Sequence, residues 1–130
     1  MQPIWADSFL KSISNAKMGV NLSRGDPIKY YSSDRITQLI GNGLLTFIHK
    51  DTHYNNFFTN DEVIFYSNIS NLSEKIQKFA RDDRLRKQIA KKGKIKYMKY
   101  FNSTIVAEYI INNTFNINYK RKKYFWETNL

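Results

Sequence analysis

Between Ser23 and Asp51 the chain collects groups suited to holding an anion. Arg24 and Lys29 lie in a segment broken by Gly25 and an Asp26-Pro27 step. Ser32, Ser33 and Asp34 stand where a helix would open, Arg35 falls in its first turn, and Gln38 follows one turn later. The open end of a helix presents backbone N–H groups without intrahelical acceptors, together with the positive end of the peptide dipoles, and this suits phosphate. A guanidinium from Arg35 or Arg24 adds charge-assisted hydrogen bonds to a diphosphate, and Gln38 reaches far enough for a ribose or sugar hydroxyl. The chemistry such a set supports is the binding of a diphosphate.

Plainer roles exist for the same residues. Asp34 is an available partner for Arg35, and Ser32 and Ser33 are ordinary helix caps. A cation in a first helical turn opposes the dipole, which favours a ligand for Arg35. Gly41 and Gly43 end a helix and read as its C-cap. His49 and His53, with Asp51 between them, have a spacing that would present two metal ligands on a helix. They fall instead in a loop after a strand, and no metal site is expected there.

The elements that must position these groups are legible from periodicity. Trp5, Phe9, Ile13 and Ala16 line one helical face. Met18–Ser23 is a short strand, Arg35–Ile40 a helix capped by Ser32-Ser33-Asp34 and stopped by Gly41-Asn42-Gly43, and Leu44–Ile48 a continuous apolar run of the kind buried on both faces of a parallel sheet. A helical turn around Tyr54–Phe58 leads to a strand at Glu62–Tyr66. A helix with a capped start at Ser70–Glu74 follows, then a lysine-rich helix from Asp82 to about Tyr100 that Gly93 would kink or divide. A last helix opens at Ser103. Strands alternating with helices predict a Rossmann-like three-layer α/β fold with a mostly parallel sheet and a helical C-terminal part. Three strands make a thin sheet with exposed edges, so sequence upstream of Met1 is expected to complete it. Residues 1–115 read as one incomplete domain, and residues 116–130 as a loosely held basic aromatic tail.

The 130 residues carry a formal net charge of +10, which favours anionic partners. There is no cysteine, which excludes disulfides, thiolate catalysis and cysteine-held zinc. No secretory pattern opens the chain and no apolar stretch approaches the ~20 residues of a membrane span, so a cytoplasmic protein is expected. The lysine-rich face of Arg84–Lys99 reads as a solvated surface, and secondarily as a site for an anionic membrane surface.

The ordered string Asn21-Leu22-Ser23, Tyr31-Ser32-Ser33-Asp34-Arg35-Ile36 and Gly41-Asn42-Gly43-Leu44-Leu45-Thr46 resembles the glycosyltransferase domain of the spore-protein YkvP/CgeB type. That family is similar to the C-terminal half of group 1 GT-B transferases. The later Val63–Tyr66 strand and the Asp82-Asp83-Arg84-Leu85-Arg86-Lys87-Gln88-Ile89-Ala90 helix, with Gly93, extend the likeness over roughly residues 5 to 111. The resemblance implies a nucleotide-sugar donor bound near Ser33, Ser32 and Arg35, with Arg24 close by and Gln38 at a position where the family carries glutamate. Glutamine keeps the reach and loses the charge. It implies transfer to an unknown acceptor, no cofactor, no metal, and an N-terminal GT-B half that holds the acceptor and often the catalytic base. The sequence itself names no catalytic base. Nucleic acid is not an expected partner; the rival is a non-enzymatic basic binder of nucleic acid or anionic membrane.

Overall fold

The run Leu45-Thr46-Phe47-Ile48 is buried at every position, and its place in the molecule explains why. In the computed structural model, which describes residues 6–23, 25–31, 33–117 and 124–128, this run forms the central strand β2 (Leu45–His49). It is flanked by β1 (Met18–Asn21) and β3 (Ile64–Tyr66), both parallel to it. Side chains alternate across the sheet. Leu45 and Phe47 join Ile64, Tyr66, Met18 and Val20 on one face, under Phe79, Ile89 and Ala90. Ile48 and Val63 join Ile36, Ile40, Tyr54, Phe57 and Phe58 on the other. The helices supplying these layers are α2 (Asp34–Gly41), α3 (Ile69–Arg81) and α4 (Asp83–Tyr100). The fold is therefore a three-layer, Rossmann-like α/β arrangement with a wholly parallel three-stranded sheet among the described residues and a helical C-terminal part.

The stop after α2 is a Schellman closure. Leu44 N–H donates to the Leu39 carbonyl and Gly43 N–H to that of Ile40, with Gly43 at φ +78°. The accompanying apolar contact joins Leu44 and Leu39, and Ile13 of α1 (Ala6–Asn15) packs on both with Phe9 beside it. The glycine places β2 one residue after the turn, so the apolar run starts already buried.

α4 is one uninterrupted helix, not divided at Gly93. Its first half covers one face of the sheet through Leu85, Ile89 and Ala90, and its end covers the other through Tyr97, with Phe101 just beyond. Gly93 sits where the helix passes the chain entering β3. A Cβ there would lie 2.2 Å from the Glu62 carbonyl oxygen, so the glycine permits close approach. One turn on, Lys96 bridges to Glu62 at 2.9 Å. The helix opens on Asp82, whose side chain accepts from Leu85 N–H.

The outer edge of β3 is closed by side chains: Phe65 N–H donates to Asn60 Oδ1 at 3.3 Å, and Lys75 Nζ donates to the Phe65 carbonyl. After α5 (Ser103–Thr114), the end of the expected loose tail is held instead. Tyr124 is buried, with its ring 5.0 Å from that of Tyr109 on α5, and Phe125 stacks on Tyr100 at 4.4 Å. Aromatic residues that the sequence leaves without partners find them on α4 and α5. No helix among the described residues is long and apolar enough to cross a membrane.

Candidate functional site

The strands run in one direction, so their carboxyl ends share one rim of the sheet, where open α/β folds place ligands. Asn21, His49 and Tyr66 end β1, β2 and β3. The loop leaving β1 returns to the same rim to begin α2, and two contacts fasten its ends. Ser33 Oγ donates to Asn21 Oδ1 at 2.9 Å. Arg35 Nη1 donates to the Leu22 carbonyl at 2.9 Å.

Ser33 occupies the N-cap of α2 with extended backbone, yet its side chain caps no helix N–H. Its carbonyl accepts from Ile36 N–H, while the amides of Asp34 and Arg35 have no acceptor among the described residues. Arg35 is exposed; one of its five N–H groups holds Leu22, which leaves four further donors on the same guanidinium. Gln38 stands half-buried one turn further along the same helix, its carbonyl accepting from the Asn42 side chain at 2.7 Å. Ser33, Arg35 and Gln38 thus share the first two turns of α2. Arg24 and Ser32 lie outside the described residues.

The second rim loop is braced by its own polar groups. His49 Nε2 donates to the Ser67 carbonyl at 2.9 Å, and Nδ1 accepts from Asp51 N–H at 3.3 Å. Both ring nitrogens are committed, which ties the end of β2 to the chain leaving β3. The His49 ring stands edge-on to Tyr66 at 5.1 Å, and burial pushes the Tyr66 phenol above its ordinary range. Thr52 Oγ1 donates to the His49 carbonyl, and Tyr30 N–H donates to that of Thr52 at 2.8 Å, joining the two rim loops. Tyr30 and His53 both hold φ of 57°, a left-handed conformation uncommon outside glycine. His49, Asp51 and His53 form no metal-binding group among the described residues.

Beside α2 lies an apolar cavity of about 460 Å³, lined by Tyr30, Ile36, Phe57, Tyr97, Phe101 and Trp126 among others. Its lining carries no charged residue and does not suit a diphosphate. Asn21 stands in the family-like string of the sequence but receives no site role there. A polar residue ending an apolar strand is the available signal, but its partner lies twelve positions away, across a loop whose path the sequence does not specify.

Against known proteins, the glycosyl transferase-like family matches residues 1–112. No curated protein and no solved structure matches significantly. The match spans every element from α1 to β3, α3 and α4, so the rim just described lies wholly within it. The chain belongs to the glycosyl transferase-like family, whose general chemistry is the transfer of a sugar from a donor to an acceptor.

Proposed function

We propose that this chain is the donor-binding lobe of a GT-B-type transferase of the YkvP/CgeB kind, spanning residues 1–115, and that its donor is a nucleotide sugar. The observation that carries the reading is the convergence of Arg35 with the first amides of α2, which have no acceptor among the described residues, at the carboxyl rim of β1. A departing diphosphate gains negative charge, and a fixed guanidinium with helix amides stabilises it without having to reorganise. In this reading Arg35 contributes most. Ser33, Gln38, Ser32 and Arg24 surround the donor, and a second GT-B lobe facing the rim brings the acceptor and the catalytic base.

The test is a thermal-shift screen of UDP-, GDP-, ADP- and TDP-sugars at two salt concentrations. One nucleotide class is expected to stabilise the chain at both, and Arg35→Ala to abolish the response. Steeply salt-dependent binding of arbitrary oligonucleotides, with no response to any nucleotide sugar, would defeat the proposal.

A further inference from the structure

Asn21 ends β1 and is 3% exposed. A side-chain amide is costly to bury unless both its ends are satisfied. Its Oδ1 accepts the Ser33 hydroxyl, while its Nδ2 has no partner among the described residues. Yet no fully buried side-chain nitrogen or oxygen among those residues lacks a partner. Nδ2 therefore retains an opening to solvent, beside the contact that joins the β1 end to the start of α2.

Hydrogen-bond direction gives this opening a use. A serine hydroxyl carries a single proton, and that of Ser33 is committed to Asn21. A phosphate that only accepts hydrogen bonds finds no donor on Ser33. Among the described residues, the donors that remain are the amides of Asp34 and Arg35, the other N–H groups of the Arg35 guanidinium, and Asn21 Nδ2. With its oxygen end held by Ser33, the Asn21 amide has its Nδ2 end left over.

We propose that Asn21 contacts the donor's diphosphate, its Nδ2 donating to a phosphate oxygen while the Ser33 hydroxyl holds the amide in that orientation. The assignment rests on the donor-binding reading above. The role usually given to a serine at a helix start passes here to a strand-end asparagine, and Ser33 becomes the residue that positions it. A purely structural Asn21 would close the loop and do nothing more, and the two roles separate by substitution.

Full-length wild type and variants are titrated calorimetrically with uridine, guanosine, adenosine and thymidine diphosphates, with folding checked by thermal unfolding. Asn21→Asp keeps an acceptor for Ser33 but puts an anionic oxygen where the donor was. The expected result is at least about a tenfold loss of affinity. Should a buried carboxylate unfold that variant, the double variant Asn21→Ala/Ser33→Ala removes both partners and strands neither, and the same loss is expected. Affinity within about twofold of wild type in either folded variant overturns the proposal and leaves the donor-binding reading standing. Failure of wild type to bind any of the four diphosphates overturns both.

Discussion

Gly93 offers the sharpest check on how this fold is held together. An added Cβ would sit 2.2 Å from the Glu62 carbonyl oxygen and 3.1 Å from its carbon. The obstacle is backbone, so no side chain can swing aside. Reaching ordinary contact requires α4 or the turn before β3 to move by more than about 1 Å, since such contacts begin near 3.4 Å. That movement would pull Lys96 from Glu62, a bridge whose two side chains are only 20% and 18% exposed. Overpacking of this kind costs about 1–3 kcal/mol. Loss of a half-buried ion pair adds up to about 1 kcal/mol, and alanine's better helix propensity returns about 1 kcal/mol. The net expectation for Gly93→Ala is a destabilisation of about 2 kcal/mol, or roughly 8 °C in Tm for a domain of this size. Thermal unfolding followed by circular dichroism at 222 nm measures it. Gly41→Ala is the control: nothing lies within 4 Å of its added Cβ, so it should gain up to about 1 kcal/mol. A Gly93→Ala protein melting at or above the wild-type temperature would refute the close-approach argument.

Three further outcomes are expected. Hydrogen bonds from Lys87, then Arg86, hold the Asp83 carboxyl at about 2, down from 3.8. With the folded value depressed, this stabilisation is complete above about pH 4 and fades toward pH 2, so urea denaturation should show the deficit of Asp83→Asn shrinking across that window; a gap independent of pH would refute it. At His53, φ is 57°, so His53→Gly should exceed His53→Ala in urea stability by about 1 kcal/mol, and equal midpoints would count against backbone strain. Asp34 places a negative charge at the open end of α2; Asp34→Asn should tighten nucleoside diphosphate binding about threefold in calorimetry, and weaker binding would argue against phosphate at that end.

Sequence reading recovered elements wherever a local rule governed them. The Gly41-Asn42-Gly43 stop, the buried β2 run and the helix opening at Asp82 each depend on neighbours within a few residues, and each stands within a residue or so of its expected place. The start of α3 was read late: Asn68 caps it, two positions before Ser70, because any of several polar residues there satisfies the same local signal. Gly93 was misread for a different reason. Its cause is the Glu62 carbonyl, thirty-one residues distant, and helix propensity alone cannot distinguish a glycine that bends a helix from one that lets another chain come close. At the rim, the place of Arg35 in a first helical turn was legible. The partnership of Ser33 with Asn21 was not, since it depends on where a loop closes and on the direction of one hydroxyl proton.

The two ties across the ends of that loop, Asn21 to Ser33 and Leu22 to Arg35, separate anchorage from sequence content. With both ends pinned, the start of α2 no longer takes its bearing from the residues in between, and lengthening such a loop costs only about 0.6 kcal/mol per doubling. Between these ties only the stretch before Tyr30 is open to exchange, because Tyr30 itself is held by the Thr52 carbonyl and packs on the core. Relatives can be expected to differ there in length and side chains while the two ties that set the start of α2 are kept.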